Sequence, residues 1–492
     1  MGGVRSPRYA RAVAASTGLL HALFLCQRVP PARIGLKAAA APEETMADFA
    51  SAAPRVPLSS EQQGWLEAAR AQLDAERIAA LVTDLVNIPS PTGSEGAAAW
   101  CAVERMRAAG LDARYEEMTP QRGNAIGRLD GAGGGASLLL YGHFDHYISG
   151  APDDPLVVGG LDHPSFHSAA SREGNVISGA GSGNPKGGCA AAIHAAEAVA
   201  KAGVPLRGDL LLGLVSGGIH KVELQGAGRP YAGVAYQGMG AGCEHMLRNG
   251  LRADFCISTK PGYQVLWEEP GVAWIRLTLT GVVGYAARRG AFKRPIEDAA
   301  AVIPELVDWF EAYADAHSAG QASTPGHIGA IEAGWPYKPD FSPSVCNLYI
   351  DLRVSPNDTV DAALAEFGAF VESLRARHPQ IEAAWDAFAS MPGTATSEDN
   401  WIVQSAVRAW EAVEGRRHEW RPASGMTDAA VLRSWGIPTA RLGGQNSAPR
   451  DPSLGFLAGE GADLDNLLRV ARCYVYAIID TCARSRAEVG LA

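Results

Sequence analysis

No two cysteines stand in CxxC spacing, no window concentrates Lys and Arg with interleaved aromatics, and beyond residue 45 no apolar stretch approaches membrane-span length. Each absence excludes something. The eight cysteines, at 26, 101, 189, 243, 256, 346, 473 and 482, are scattered, which argues against a zinc ribbon and suits free thiols in a reducing compartment. The formal charge of -10, from 53 acidic against 43 basic residues, leaves no basic groove, so nucleic acid is not an expected partner. A membrane is not expected either.

What remains is a globular chain of 492 residues, 47% of them hydrophobic, enough for two cores and more than one core usually supports. Residues 1–45 pose a targeting question. Arg5, Arg8 and Arg11 precede an apolar run from Ala12 to Cys26, the order of a signal peptide, yet Arg28 and Arg33 follow it and Met46 opens an ordinary start. The expected location is cytoplasmic, or secreted or periplasmic if residues 1–45 are a cleaved signal.

From Ser60 to Val86 apolar residues recur at helical spacing, with Ser59 and Ser60 available as caps, and predict two helices. Glu95 to Ala109 predicts a third. Ala136 to Tyr141 and Asp209 to Val215 are short continuous apolar runs, as in strands buried on both faces, and the Ala-rich Gly188–Ala202 helix lies between them. That alternation predicts a mostly parallel sheet with helices on both faces. Near residue 265 the pattern changes: Val272 to Thr280 alternates in its second half, and helices at 296–316 and 362–377 accompany strands near 328–333 and 345–354. This predicts an inserted α+β, ferredoxin-like domain at 265–385, with residues 46–264 and 386–492 forming the α/β domain around it. From about 386 the alternation of helix and strand returns.

Leu138-Leu-Leu-Tyr-Gly-His143-Phe-Asp145 puts a histidine and an aspartate just past the carboxyl end of a buried strand, where open α/β sheets place ligand crevices. Asp145 can hydrogen-bond an imidazole that ligates metal. A polar strand end with a satisfied histidine reads the same residues more plainly.

The octapeptide Leu138–Asp145 resembles the first metal-ligand motif of the acetylornithine deacetylase, succinyl-diaminopimelate desuccinylase, aminoacylase and carboxypeptidase G metallohydrolases. Gly179-Ala-Gly-Ser-Gly-Asn184-Pro-Lys-Gly-Gly188 resembles the second, and Gly334 through Arg353 to Pro356 resembles the strand pair closing the family's inserted domain. Ser424-Gly-Met-Thr-Asp428, Gly436-Ile-Pro438 and Leu442-Gly-Gly444 resemble its C-terminal sheet motifs. The matches run in family order from about 65 to 485. The resemblance implies a homodimer paired through the inserted domain, with Val272 to Thr280 as the apolar edge to be covered.

The departures from the family pattern are as informative. Where the resemblance implies an aspartate bridging two zinc ions stands Asn184; where it implies a Glu-Glu pair stand Gly217 and Gly218. The acidic ligand before a proline corresponds to Lys260 in Thr259-Lys260-Pro261, and an ammonium there repels a metal. No histidine follows His418, so the C-terminal ligand is missing, and the inserted domain's oxyanion-binding histidine falls at Tyr285. Of five implied ligands only His143 remains, with Asp145 behind it, whereas catalytic zinc uses three. Zinc or another divalent metal is therefore expected only if other groups rebuild a site; His146, His163, His167, His194, His220 and His245, with Glu223 and Glu244, are the candidates. Lys260 reads either as a base or nucleophile or as the partner of Glu268 or Glu269.

The expected function is hydrolysis of an amide or related C–N bond in a small, carboxylate-bearing molecule by a remodelled cleft. Asp145, Lys260 and Tyr285 are its candidate catalytic groups. Asn184, His220 and Arg353 are candidate substrate contacts, and Arg288, Arg289, Lys293 and Arg294 form either an anion site or a solvated basic turn. A catalytically silent relative that binds a ligand or partner, and a metal-free lyase or isomerase, are the alternatives.

Overall fold

The computed structural model describes residues 56–148, 154–159, 163–224, 238–445 and 461–491; the targeting question of residues 1–45 lies outside them. Four strands, Leu210–Val215, Leu138–His143, Phe255–Ser258 and Thr439–Arg441, run parallel, and the antiparallel hairpin Asp112–Thr119 and Arg122–Leu129 extends one edge. Alternation within the apolar runs supplies both faces of this sheet. Leu138, Leu140, Leu210 and Leu212 enter one core, while Leu139, Tyr141, Leu211 and Val215 enter the other. Each such leucine contributes about 2 kcal/mol on burial.

The larger core receives helices Ser60–Arg70, Ala75–Val86, Gly96–Ala108, Gly187–Lys201, Trp401–Glu414 and Leu464–Cys482, and the smaller core receives Ala241–Arg248 and Ala429–Ser434. Local chemistry sets their ends. Ser59 closes a capping box with Gln62, and Asp74, Asn400 and Asp463 cap their helices through side-chain oxygens.

The second sheet is antiparallel, in the order Gly326–Ala333, Val345–Val354, Gly271–Thr280, Glu382–Met391. Helices Pro295–His317 and Val360–Arg377 cover one face, giving the βαββαβ order of a ferredoxin-like unit. The expectation that Val272 to Thr280 is an exposed edge is incorrect. That strand pairs with Val345–Val354 on one side and Glu382–Met391 on the other, and the edges are Gly326–Ala333 and Glu382–Met391. Its alternating burial reflects one helix-covered and one open face, not an unpaired edge. The elements that escaped the sequence reading include the 112–129 hairpin, whose first strand is largely polar, the Ala241–Arg248 helix, the central Phe255–Ser258 strand, and the Glu382–Met391 strand, which interrupts its alternation with a bulge near Ala387. Among the described residues no helix is long and apolar enough to cross a membrane.

Candidate active site

The Leu138–His143 strand ends where its parallel neighbours end, so His143 and Asp145 project beyond the sheet. Gly217 and Gly218 follow the neighbouring strand and face this pair with backbone alone. Gly218 tolerates no side chain, since a Cβ there would lie 2.4 Å from His143 Cγ. Gly217 adopts φ +70°, a left-handed conformation that suits glycine.

Asp145 is fully buried, and four donors meet it. Oδ1 accepts from His143 Nδ1 and Gly218 N, each at 2.8 Å; Oδ2 accepts from Thr92 Oγ1 at 2.8 Å and Ile219 N at 2.9 Å. Although burial opposes ionisation, His143, Ile219 and Thr92 hold this carboxyl well below the usual range. A carboxylate accepts only, so Nδ1 of His143 carries the proton and Nε2 offers a lone pair. Lys260 Nζ takes that lone pair in a close hydrogen bond. Burial, and then the Lys260 charge, hold His143 down to about 4 against the pull of Asp145. At neutral pH the line is carboxylate, neutral imidazole, ammonium.

This line opens on a cavity of about 620 Å³ whose lining includes Asn184, His220, Lys260, Trp274, Arg353 and Arg441. Lys260, Arg441 and Asn184 come from the sheet-end loops and strands of the larger unit; Trp274 and Arg353 come from adjacent strands of the inserted sheet. Asp351 binds both of these, through Trp274 Nε1 at 2.8 Å and Arg353 Nε at 2.7 Å. Several polar atoms at the cavity are buried and unsatisfied among the described residues: Asn184 Oδ1, His220 Nε2, Arg353 Nη1 and Arg441 Nε. Such atoms suit a polar ligand, because each costs free energy until it is hydrogen-bonded.

The structure thus brings together six of the seven candidate residues: His143, Asp145, Asn184, His220, Lys260 and Arg353. Tyr285 is not among them. It is 52% exposed on a two-residue strand paired with Phe341–Ser342, and its ring lies beside Phe341. The basic stretch that follows it is a solvated turn, with Arg289 and Arg294 paired to Glu297 and Lys293 to Glu382. Glu268 and Glu269 turn elsewhere, to Gln321 and to Thr427 and Arg441. Two of the other histidines turn elsewhere: His194 pairs with Glu197, and His163 begins a short 3₁₀ turn. Among the described residues no group of three or more His, Cys, Asp or Glu could hold a metal ion.

Two groups escaped the sequence reading. Arg441 ends the Thr439–Arg441 strand just before the Leu442-Gly-Gly444 motif, and strand-end position was the signal available. Asp428, in Ser424–Asp428, accepts from Tyr141 Oη at 2.5 Å beside a small void that also touches His143 and Lys260. Burial raises it to about 7.

No family model matches the chain. Among solved structures, the PepT aminopeptidase from Bacillus cereus ATCC 10987 is similar with a TM-score of 0.59 and 18% identity, over 83% of this chain and 99% of that one. Human carnosine dipeptidase 1 gives a TM-score of 0.63 at 12% identity, over 86% and 99%. An M20 family metallo-carboxypeptidase from Sulfolobus solfataricus gives 0.61 at 16%, over 84% and 100%. The fold is that of the M20 metallopeptidases: a mostly parallel α/β unit carrying a smaller inserted sheet.

Proposed function

We propose that the chain hydrolyses an amide or related C–N bond in a small carboxylate-bearing molecule held in the cavity beside Lys260. The observation that carries this reading is the line Asp145–His143–Lys260 ending at a cavity that Arg353 and Arg441 also line. Similarity in fold to peptidases adds support by analogy. The donor set does not fit a two-zinc centre: Asn184 is neutral, Gly217 and Gly218 offer no side chain, and an ammonium takes the imidazole lone pair.

The residues divide the work without it. The Lys260 N–H that holds His143 Nε2 turns to the substrate carbonyl oxygen, which leaves Nε2 open to water. Water adds to the carbonyl carbon as Nε2 accepts its proton, and Lys260 holds the oxyanion. The C–N bond then breaks, and the departing amine takes the proton from His143. Asp145 acts through His143 as a positioning residue that keeps the tautomer and steadies the imidazolium. Arg353 and Arg441 have donors to offer a carboxylate.

The test is amine release from a panel of N-acyl and N-carbamoyl amino acids and dipeptides. Lys260→Met is expected to lower kcat at least about a hundredfold, and Arg353→Met to raise KM about tenfold with less effect on kcat. The Lys260–His143 contact also favours a second reading, lyase or isomerase chemistry in which the amine condenses with a substrate carbonyl. Borohydride trapping of a ligand on Lys260 would select it. Saturable binding with no turnover would leave a silent relative.

The reading includes a homodimer formed through the inserted sheet, now by its Gly326–Ala333 edge, where Ile331 is exposed close to Trp335 and Tyr337. Sedimentation is expected to give a dimer at micromolar protein. A monomer would refute the assembly.

A further inference from the structure

His143 has two ring nitrogens, and both are engaged. Nδ1 belongs to Asp145, so a metal bound by this imidazole would have to use Nε2, the lone pair that Lys260 Nζ occupies. A zinc–nitrogen bond is about 2.0 Å long, and one lone pair cannot serve both cations. The surroundings match. Asn184 carries no charge, gives its Nδ2 proton to Tyr147 Oη at 2.8 Å and keeps a buried Oδ1 with no partner among the described residues. Gly217 and Gly218 give their backbone N–H groups to Glu95 and Asp145 at 3.0 and 2.8 Å, and the imbalance that a Glu pair would bring is avoided. Across the neutral imidazole the Asp145 carboxylate faces the Lys260 ammonium; buried Glu95 is paired with Arg122, and burial raises Asp428, beside Lys260, to about 7, whereas an uncompensated carboxylate cluster would be costly to bury.

We infer that Lys260 is the resident cation of this cleft: its ammonium takes the coordination place of a metal on His143 Nε2, so a dissociable divalent ion is replaced by a charge fixed to the chain. Loss of the acidic groups and gain of the lysine are then one exchange, not independent decay. The inference stands apart from which bond the cleft acts on, and its test reads metal binding, not turnover.

Calorimetric titration of the full chain with zinc chloride tests it. Wild-type protein is expected to show no stoichiometric uptake that His143→Ala removes. The double variant Asn184→Asp with Lys260→Glu adds two carboxylates to the cleft, which with His143 make three candidate protein ligands, and is expected to bind zinc at least about a hundredfold more tightly than wild type. Adding His143→Ala should abolish that gain. Lys260→Met, which removes the charge and adds no ligand, should gain far less. If the double variant melts below the assay temperature, Lys260→Glu alone serves, with a gain of about tenfold expected. Stoichiometric zinc on wild-type protein through His143 would overturn the inference. So would a folded carboxylate variant that binds zinc no better than wild type.

Discussion

His143 in the cleft and His317 on the inserted unit both sit against carboxylates, yet their surroundings push them in opposite directions. His317 is 23% exposed at the end of the Pro295–His317 helix, with Asp358 on Nδ1 at 2.8 Å and Glu366 on Nε2 at 2.9 Å. Burial pulls its pKa down, but the two carboxylates outweigh it and the net shift is upward. His143 has one carboxylate, complete burial, and an ammonium on its other nitrogen, and it falls to about 4. A carboxylate neighbour therefore does not decide the charge of an imidazole. Desolvation and the partner of the second nitrogen do.

The strongest way to break this contrast is Asp145→Asn. From the sequence alone the exchange looks neutral for stability, but four donors converge on the two oxygens. Either orientation of an amide sets its NH₂ against a backbone N–H that cannot turn away. The variant is expected to lose at least about a hundredfold in kcat and about 2–4 kcal/mol in urea-unfolding stability. Unchanged stability would mean that the carboxylate is less enclosed than its hydrogen bonds imply.

A smaller effect sharpens the comparison through pH. His418 accepts from Val265 N through Nε2, and burial, aided by Arg416, holds it at about 4. A depressed histidine contributes stability that is present above its ordinary value of 6.5 and is lost as pH falls through the folded value. His317, raised, contributes stability that is complete below 6.5 and is lost as pH rises through its folded value. His418→Gln should therefore flatten the acid limb of a melting-temperature profile, and His317→Gln the limb above 6.5. The same limb responding to both variants would contradict the opposite signs. The His317 effect is the smaller, since partly exposed ion pairs contribute about 1 kcal/mol or less.

Much of the architecture was legible before any coordinates. Continuous apolar runs such as Leu138–Tyr141 and Leu210–Val215 read as strands covered on both faces, and Ser59 marks a helix start through local hydrogen bonds. Periodicity and capping act over a few residues, so a one-dimensional reading captures them. Asp145 two residues beyond His143 is local in the same sense.

The rest depended on residues far apart in the chain. Whether Val272–Thr280 was an edge depended on Glu382–Met391 arriving beside it, about a hundred residues later, which alternation alone does not reveal. Tyr285 shares its neighbourhood in sequence with the inserted unit but not its neighbourhood in space with the cavity. The contact of Lys260 with His143 spans 117 residues, and Arg441 joins them from farther still. Sequence by itself determined the strand-end dyad and the absence of the other ligand types. Only the tertiary structure decided that a lysine stands on the imidazole, because that pairing is made by two parallel strands ending side by side.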